Sequence, residues 1–120
     1  MKAILDTNAL LLPYQEKFDV ISAIQELLPN AELVILESTL RELSLVRDKR
    51  AAKMAFQIIE KNSIKTVSLS GETDDAVIKY AKENNAVVVT KDLEMLDKCR
   101  KVHVKVMLMK KNKTAKIEGE

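Results

Sequence analysis

A chain of 120 residues holds one hydrophobic core, and 47% hydrophobic with 32% charged residues describes a packed domain, not a disordered one. Twenty Lys+Arg against 18 Asp+Glu leave a net charge of +2, far below what a protein that coats duplex nucleic acid carries. The single cysteine, Cys99, excludes an internal disulfide and a thiolate zinc cage, and the single histidine, His103, excludes a histidine-rich metal site. Any metal must therefore take oxygen ligands.

Met1 to Leu5 is a short apolar run that stops at Asp6, as a buried strand does. Ala9 to Lys17 contains Leu10, Leu11 and Leu12, but Pro13 interrupts it, so a short helical turn and a loop are expected. Phe18 to Leu28 repeats Val20, Ile21, Ile24, Leu27 and Leu28 at helical spacing and ends at Pro29-Asn30. Glu32 to Leu36 reads as a second buried strand. Ser38 or Thr39 then caps a helix that turns Leu40, Leu43 and Leu45 inward. After the charged corner Arg47 to Arg50, an amphipathic helix spans Ala51 to Lys61, with Ala52, Ala55, Phe56 and Ile59 facing the core.

A strand over Ile64 to Leu69 is broken by Ser70-Gly71, and Thr73 caps a helix running through Tyr80 to Asn85. Ala86-Val87-Val88-Val89-Thr90 is the strongest strand signal in the chain. A small helix from Leu93 to Cys99 and a strand from Val102 to Met109 follow. Residues 110–120 lack apolar periodicity and carry Lys110, Lys111, Lys113 and Lys116 beside Glu118 and Glu120, which reads as a solvated basic tail. Short apolar strands alternating with helices predict a parallel sheet covered on both faces. No apolar run approaches the ~20 residues of a membrane helix, and the opening strand lacks a signal-peptide pattern, so a cytoplasmic protein without a membrane partner is expected.

In such a sheet the ligand crevice lies outside the carboxyl ends of the strands, where strand order reverses. Asp6 follows the first strand, Glu42 the second, Asp74-Asp75 the third and Asp92 the fourth. Each has an ordinary explanation. Thr39-Leu40-Arg41-Glu42 fits a capping box, Asp74 and Asp75 suit the first turn of a helix, Asp6 suits an Asx-turn, and Asp92 suits a helix cap. Gathered in one crevice, however, these carboxylates repel one another unless a cation neutralises them. Oxygen donors favour Mg²⁺ or Mn²⁺, which acidify bound water and offset the charge that develops when a phosphodiester is attacked.

Four segments resemble the motifs of PIN domains, a family of small metal-dependent ribonucleases: Asp6-Thr7-Asn8, Arg41-Glu42-Leu43, Asp74-Asp75-Ala76-Val77-Ile78 and Val88-Val89-Thr90-Lys91-Asp92. The likeness spans Met1 to Met109, with the motifs in family order. It implies a three-layer α/β/α fold with a central parallel sheet of about five strands. It also implies Asp6, Glu42, Asp75 and Asp92 as catalytic acids, and a Mg²⁺ or Mn²⁺ site drawn from these together with Asp74 and Glu94. Thr7, Asn8 and Thr90 would orient the carboxylates by hydrogen bonding, and Arg41 and Lys91 would be minor RNA contacts.

The implied reaction is endonucleolytic cleavage of single-stranded RNA by metal-activated water, either as a toxin nuclease held by an antitoxin or in ribosomal RNA processing. Homodimers are frequent in the family, and Leu10 to Leu12 or Leu45-Val46 could serve as the interface or as core. Tyr14, Tyr80, Phe18 and Phe56 are too few for a base-stacking platform. Three alternatives remain. A catalytically silent RNA-binding or scaffold module would keep the fold. A phosphoacceptor receiver would need a doublet of acids where Asp6 stands between Leu5 and Thr7, and a haloacid-dehalogenase-like phosphatase would need an acid at Asn8.

Overall fold

A computed structural model describes residues 1–69, 71, 73–110 and 112–119. Six strands form one sheet among these residues: β1 (Lys2–Leu5), β2 (Glu32–Leu36), β3 (Lys65–Val67), β4 (Ala86–Val89), β5 (Val106–Met109) and β6 (Ala115–Glu118). Their order is β3-β2-β1-β4-β5-β6. The first five are parallel, with Ala3 of β1 set between Leu33 of β2 and Val87 of β4, and β6 runs antiparallel to β5 with Ile117 opposite Met107. The helices are α1 (Thr7–Gln15), α2 (Val20–Leu27), α3 (Glu37–Ser44), α4 (Lys49–Lys61), α5 (Asp74–Glu83) and α6 (Leu93–Lys101).

Alternation along the strands divides the core into two layers. Ala3, Leu5, Leu33, Ile35, Val87 and Val89 face one way and pack with residues of α1 to α4 such as Leu10, Ile24, Leu43 and Ala55. Ile4, Val34, Leu36, Val88 and Val106 face the other way and pack with Val77, Ile78 and Ala81 of α5 and Leu96 and Cys99 of α6. Both faces of β1, β2 and β4 are apolar because both are covered. From β1 the chain moves outward through β2 to β3, then returns to β4 on the other side of β1. Strand order therefore reverses between β1 and β4, and a crevice opens where their carboxyl ends meet.

Three expectations are corrected. Ala9 to Gln15 belongs to a continuous helix, not a turn and loop, although Pro13 lies inside it. An interior proline costs about 3 kcal/mol. Leu10, Leu11 and Leu12 are all buried, each contributing about 1.5–3 kcal/mol, and the Asp6 carboxylate caps the first turn, so burial and capping outweigh the lost hydrogen bond. Leu10 to Leu12 are thus core, and not an interface. Leu45, expected to face inward, ends α3 with 79% of its surface exposed, and Phe56 is also partly exposed, because Ala51, Ala52 and Ala55 supply the buried side of α4.

The third correction concerns the basic tail, of which Lys111 and Glu120 lie outside the described residues, as does Ser70 of the expected break. Residues 115–118 form β6, held to the sheet by β5 and to α6 by Arg100 Nε at 2.6 Å from Glu118 Oε1. Gly119 then takes φ +96, and a Cβ there would meet Lys105 Cα and the Val104 carbonyl oxygen at 3.3 Å, so the close approach of this end to the β5 side requires glycine. Only Ala115 and Ile117 are apolar in this strand, too short a pattern to be distinguished from a lysine-rich tail.

Truncating the buried Leu10 to alanine should cost about 2–5 kcal/mol of unfolding free energy. Leu45→Ala should stay within about 0.5 kcal/mol of the parent. Urea titrations showing equal losses for the two would contradict the placement of α1 in the core.

Candidate active site

The carboxyl ends of β1 and β4 are tied together at Asp6. Its backbone N–H donates to the Val89 carbonyl at 3.3 Å, extending the ladder one residue beyond the strands. Its side chain caps α1, Oδ1 accepting from the Ala9 N–H at 2.8 Å, while Oδ2 accepts from the Thr90 hydroxyl. That hydroxyl in turn accepts the Asp92 N–H at 3.0 Å. Thr90 is buried, so one side chain spends both its donor and an acceptor position on fixing the two aspartates relative to each other. Asp92 caps α6 through Oδ1, which accepts from Glu94 N–H at 3.0 Å and Met95 N–H at 3.4 Å.

Asp6, Glu42, Asp74 and Asp92 line one recess of about 250 Å³, with Leu5, Thr7, Asn8, Ser38 and Thr39 among the other walls. The capping-box explanation of Glu42 fails. Helix α3 starts at Glu37 with Leu36 at its N-cap and no side-chain cap, and Thr39 is buried inside the first turn. Glu42 therefore lies a turn further along α3, turned to the recess. Of the adjacent pair, Asp74 lines the recess and Asp75 does not; Asp75 is exposed on the next position of α5, behind the Thr73 cap. Glu94 also lies outside the recess, exposed on the first turn of α6.

Burial is the main cause that raises the Asp6 pKa above the ordinary carboxylate value. The hydrogen bonds from Thr90 and Ala9 oppose it, and the charges of Asp92 and Glu42 add to the rise. The repulsion inferred for these acids is thus felt at Asp6, as a smaller contribution than its burial. Asp74 has its own partner, Lys98 of α6, whose Nζ lies 3.3 Å from Asp74 Oδ2 and 3.7 Å from Glu94 Oε1. Lys91 turns to Glu16 at 2.7 Å, neither to Asp92 nor into the recess. Arg41 lies in the last turn of α3, exposed beside Glu42. The Thr7 hydroxyl oxygen is buried against the recess and finds no hydrogen-bond partner among the described residues.

Among the described residues no three His, Cys, Asp or Glu groups lie close enough to enclose an ion. The donor set is nevertheless suited to a hard divalent cation: oxygen atoms only, around an open recess, with an unsatisfied hydroxyl at its wall. Mg²⁺ keeps much of its water shell and needs only one or two carboxylates, so a recess of this kind fits it better than a closed cage would. Cys99 contributes nothing here, because burial pushes its thiol up to about 11 and keeps it protonated. Lys98 and Ser38 are the two site residues that the sequence does not single out. The i,i+4 spacing of Glu94 and Lys98 was the only local signal, and it does not reveal that Lys98 reaches across to α5.

An open α/β sheet with acids from four strand ends facing one crevice at its switch point defines a class of domain, and the comparisons agree. Residues 3–112 match the family described as PIN-like domain, and the chain belongs to that family. Ribonuclease VapC9 of Archaeoglobus fulgidus is 27% identical over 122 residues, spanning 97% of this chain and 88% of the relative. Ribonuclease VapC4 of Methanocaldococcus jannaschii is 30% identical over 129 residues, spanning 98% and 97%. The solved PIN domain endonuclease Utp24 superimposes with a TM-score of 0.80 over 99% of this chain and 92% of that one; at 18% identity this likeness establishes the fold.

A raised Asp6 pKa means that its charge opposes folding, a penalty absent below the unfolded-state pKa and complete once pH rises through the folded-state one. Without metal, Asp6→Asn should therefore be at least as stable as the parent at neutral pH, and the difference should shrink as the pH is lowered through the raised pKa. Thermal unfolding of both proteins across this range checks the sign; a difference that does not change with pH would refute it.

Proposed function

We propose that this chain is a Mg²⁺- or Mn²⁺-dependent endoribonuclease that cleaves single-stranded RNA. The observation behind the reading is the convergence of Asp6, Glu42 and Asp92 on one recess, where burial first, and the charges of Asp92 and Glu42 after it, disfavour an ionised Asp6. Both curated relatives are ribonucleases by name, which supports RNA as the substrate class.

In this reading Asp6, Glu42 and Asp92 would hold the ion, through its water shell where their oxygens stand too far apart to bind it together, with Asp74 at the other side of the recess. When bound, the cation supplies positive charge against a phosphodiester and acidifies water beside it. The protein's own part is positional. Thr90 keeps Asp6 and Asp92 in register, the helix caps use Oδ1 of each aspartate, and Oδ2 of Asp6 accepts from Thr90, so an ion at Asp6 would share oxygens that already accept hydrogen bonds. Thr7 and Asn8, on the first turn of α1, offer a hydroxyl and an amide to water or to a phosphate oxygen. Asp75 and Glu94 stand outside, as outer negative charge. Lys91 and Arg41 sit at the rim; the Lys91–Glu16 pair is exposed and worth at most about 1 kcal/mol, so an RNA phosphate can compete for that ammonium.

RNA is then the substrate partner. A toxin nuclease held by an antitoxin and a ribosomal-RNA-processing nuclease both fit this activity, and the exposed Leu45 beside Val46 offers an apolar contact for a protein partner or a second copy. No helix among the described residues is long and apolar enough to cross a membrane.

Labelled single-stranded RNA should be cut internally with Mn²⁺ or Mg²⁺ and left intact with excess chelator. Asp6→Asn and Glu42→Gln should lower the rate about a hundredfold or more. Thr90→Val, which keeps the shape but loses the link, should cost about ten- to a hundredfold. Cleavage that survives chelation would overturn the mechanism, and RNA binding without any metal-dependent cutting would favour the silent binding module.

A further inference from the structure

The four recess acids do not have equal surroundings. Glu42 and Asp92 both act on Asp6, whereas Asp74, among the described residues, is the one recess acid with an ammonium group within 4 Å. That group, Lys98 Nζ, reaches from α6 to Asp74 on α5 and also lies near Glu94, so it stands between two acids that the sequence offers as metal ligands. We propose that Lys98 is a built-in counter-charge that occupies the electrostatic place of a second divalent ion, so that the recess binds one metal ion, at Asp6, Glu42 and Asp92, and not two. This deepens the nuclease reading and rests on its metal site.

The charge arithmetic favours this division. Asp6, Glu42 and Asp92 carry three negative charges with no ammonium within 4 Å among the described residues, which one divalent ion reduces to one, whereas Asp74 and Glu94 carry two, of which Lys98 already offsets one. A second divalent ion at Asp74 would have to approach an ammonium 3.3 Å from its ligand oxygen, and the pair repels it until Lys98 swings away. Lys98 is half-exposed on the surface of α6, and its anchors Asp74 and Glu94 come from different helices, so its head is guided toward Asp74 without being locked there. Lys98 is thus a positioning residue: it holds Asp74 and sets the metal count without touching the substrate.

The test is a calorimetric titration of Mn²⁺ into the full chain, its Lys98→Met variant, which keeps much of the stem but drops the charge, and its Lys98→Arg variant, which keeps the charge. The parent and Lys98→Arg should bind one ion. Lys98→Met should bind two, with the first about fivefold tighter through the loss of one nearby positive charge. In the parent, Asp74→Asn should weaken the single ion about fivefold, the counterpart of the Lys98→Met effect, while Asp6→Asn should abolish binding. Circular dichroism confirms that the variants are folded. One ion in Lys98→Met, or two in the parent, overturns the role of Lys98 and leaves the metal site standing. No binding by the parent overturns the metal site itself, and this inference with it.

Discussion

Two strand ends and one hydroxyl hold this site together. The carboxyl ends of β1 and β4 are neighbours because strand order reverses between them, and the Thr90 hydroxyl bridges the acids that leave them, bonding the Asp6 carboxylate and the Asp92 backbone N–H. Folding thereby forces Asp6 into a desolvated position within the field of Asp92 and Glu42. Charge concentrated in this way opposes folding, and on the proposed reading it is also what would draw a cation to the recess.

Asp6 and Asp92 also satisfy the ordinary demands of their positions. Each caps a helix, and each cap places the carboxylate at the positive end of that helix's dipole, which moderates the repulsion. The structural explanation and the proposed one are therefore compatible at these two positions, since the cap occupies Oδ1 of each aspartate and both residues still line the recess. Glu42 differs. With α3 beginning at Glu37, no capping role remains for it, and it stands in the recess wall. Asp74 differs again, because Lys98 already compensates it.

Much of this was legible in the sequence where local patterns are strong. Val87-Val88-Val89 announced a buried strand, and the acids after β1 and β4 follow from strand ends that any parallel sheet aligns. The parts that were not legible depend on long-range contacts. Pro13 obscured α1, whose stability comes from burying Leu10 to Leu12 against α4 and α2. The apparent capping box at Thr39 to Glu42 was misleading because the helix starts earlier, directly off β2. Choosing between Asp74 and Asp75 required knowing the rotation of α5 about its axis, which a pair of adjacent acids cannot encode. The partners of Lys91 and Lys98, Glu16 and Asp74, lie 75 and 24 residues away.

The central claim is that Asp6 is a carboxylate held at an electrostatic disadvantage that a divalent cation relieves. Carboxyl-carbon NMR of the selectively labelled protein, titrated with acid in the absence and presence of Mg²⁺, measures this directly. Asp6 should titrate above the ordinary aspartate range without the ion and fall below it when the ion is bound. An Asp6 resonance that titrates at the ordinary value and ignores Mg²⁺ would contradict the account.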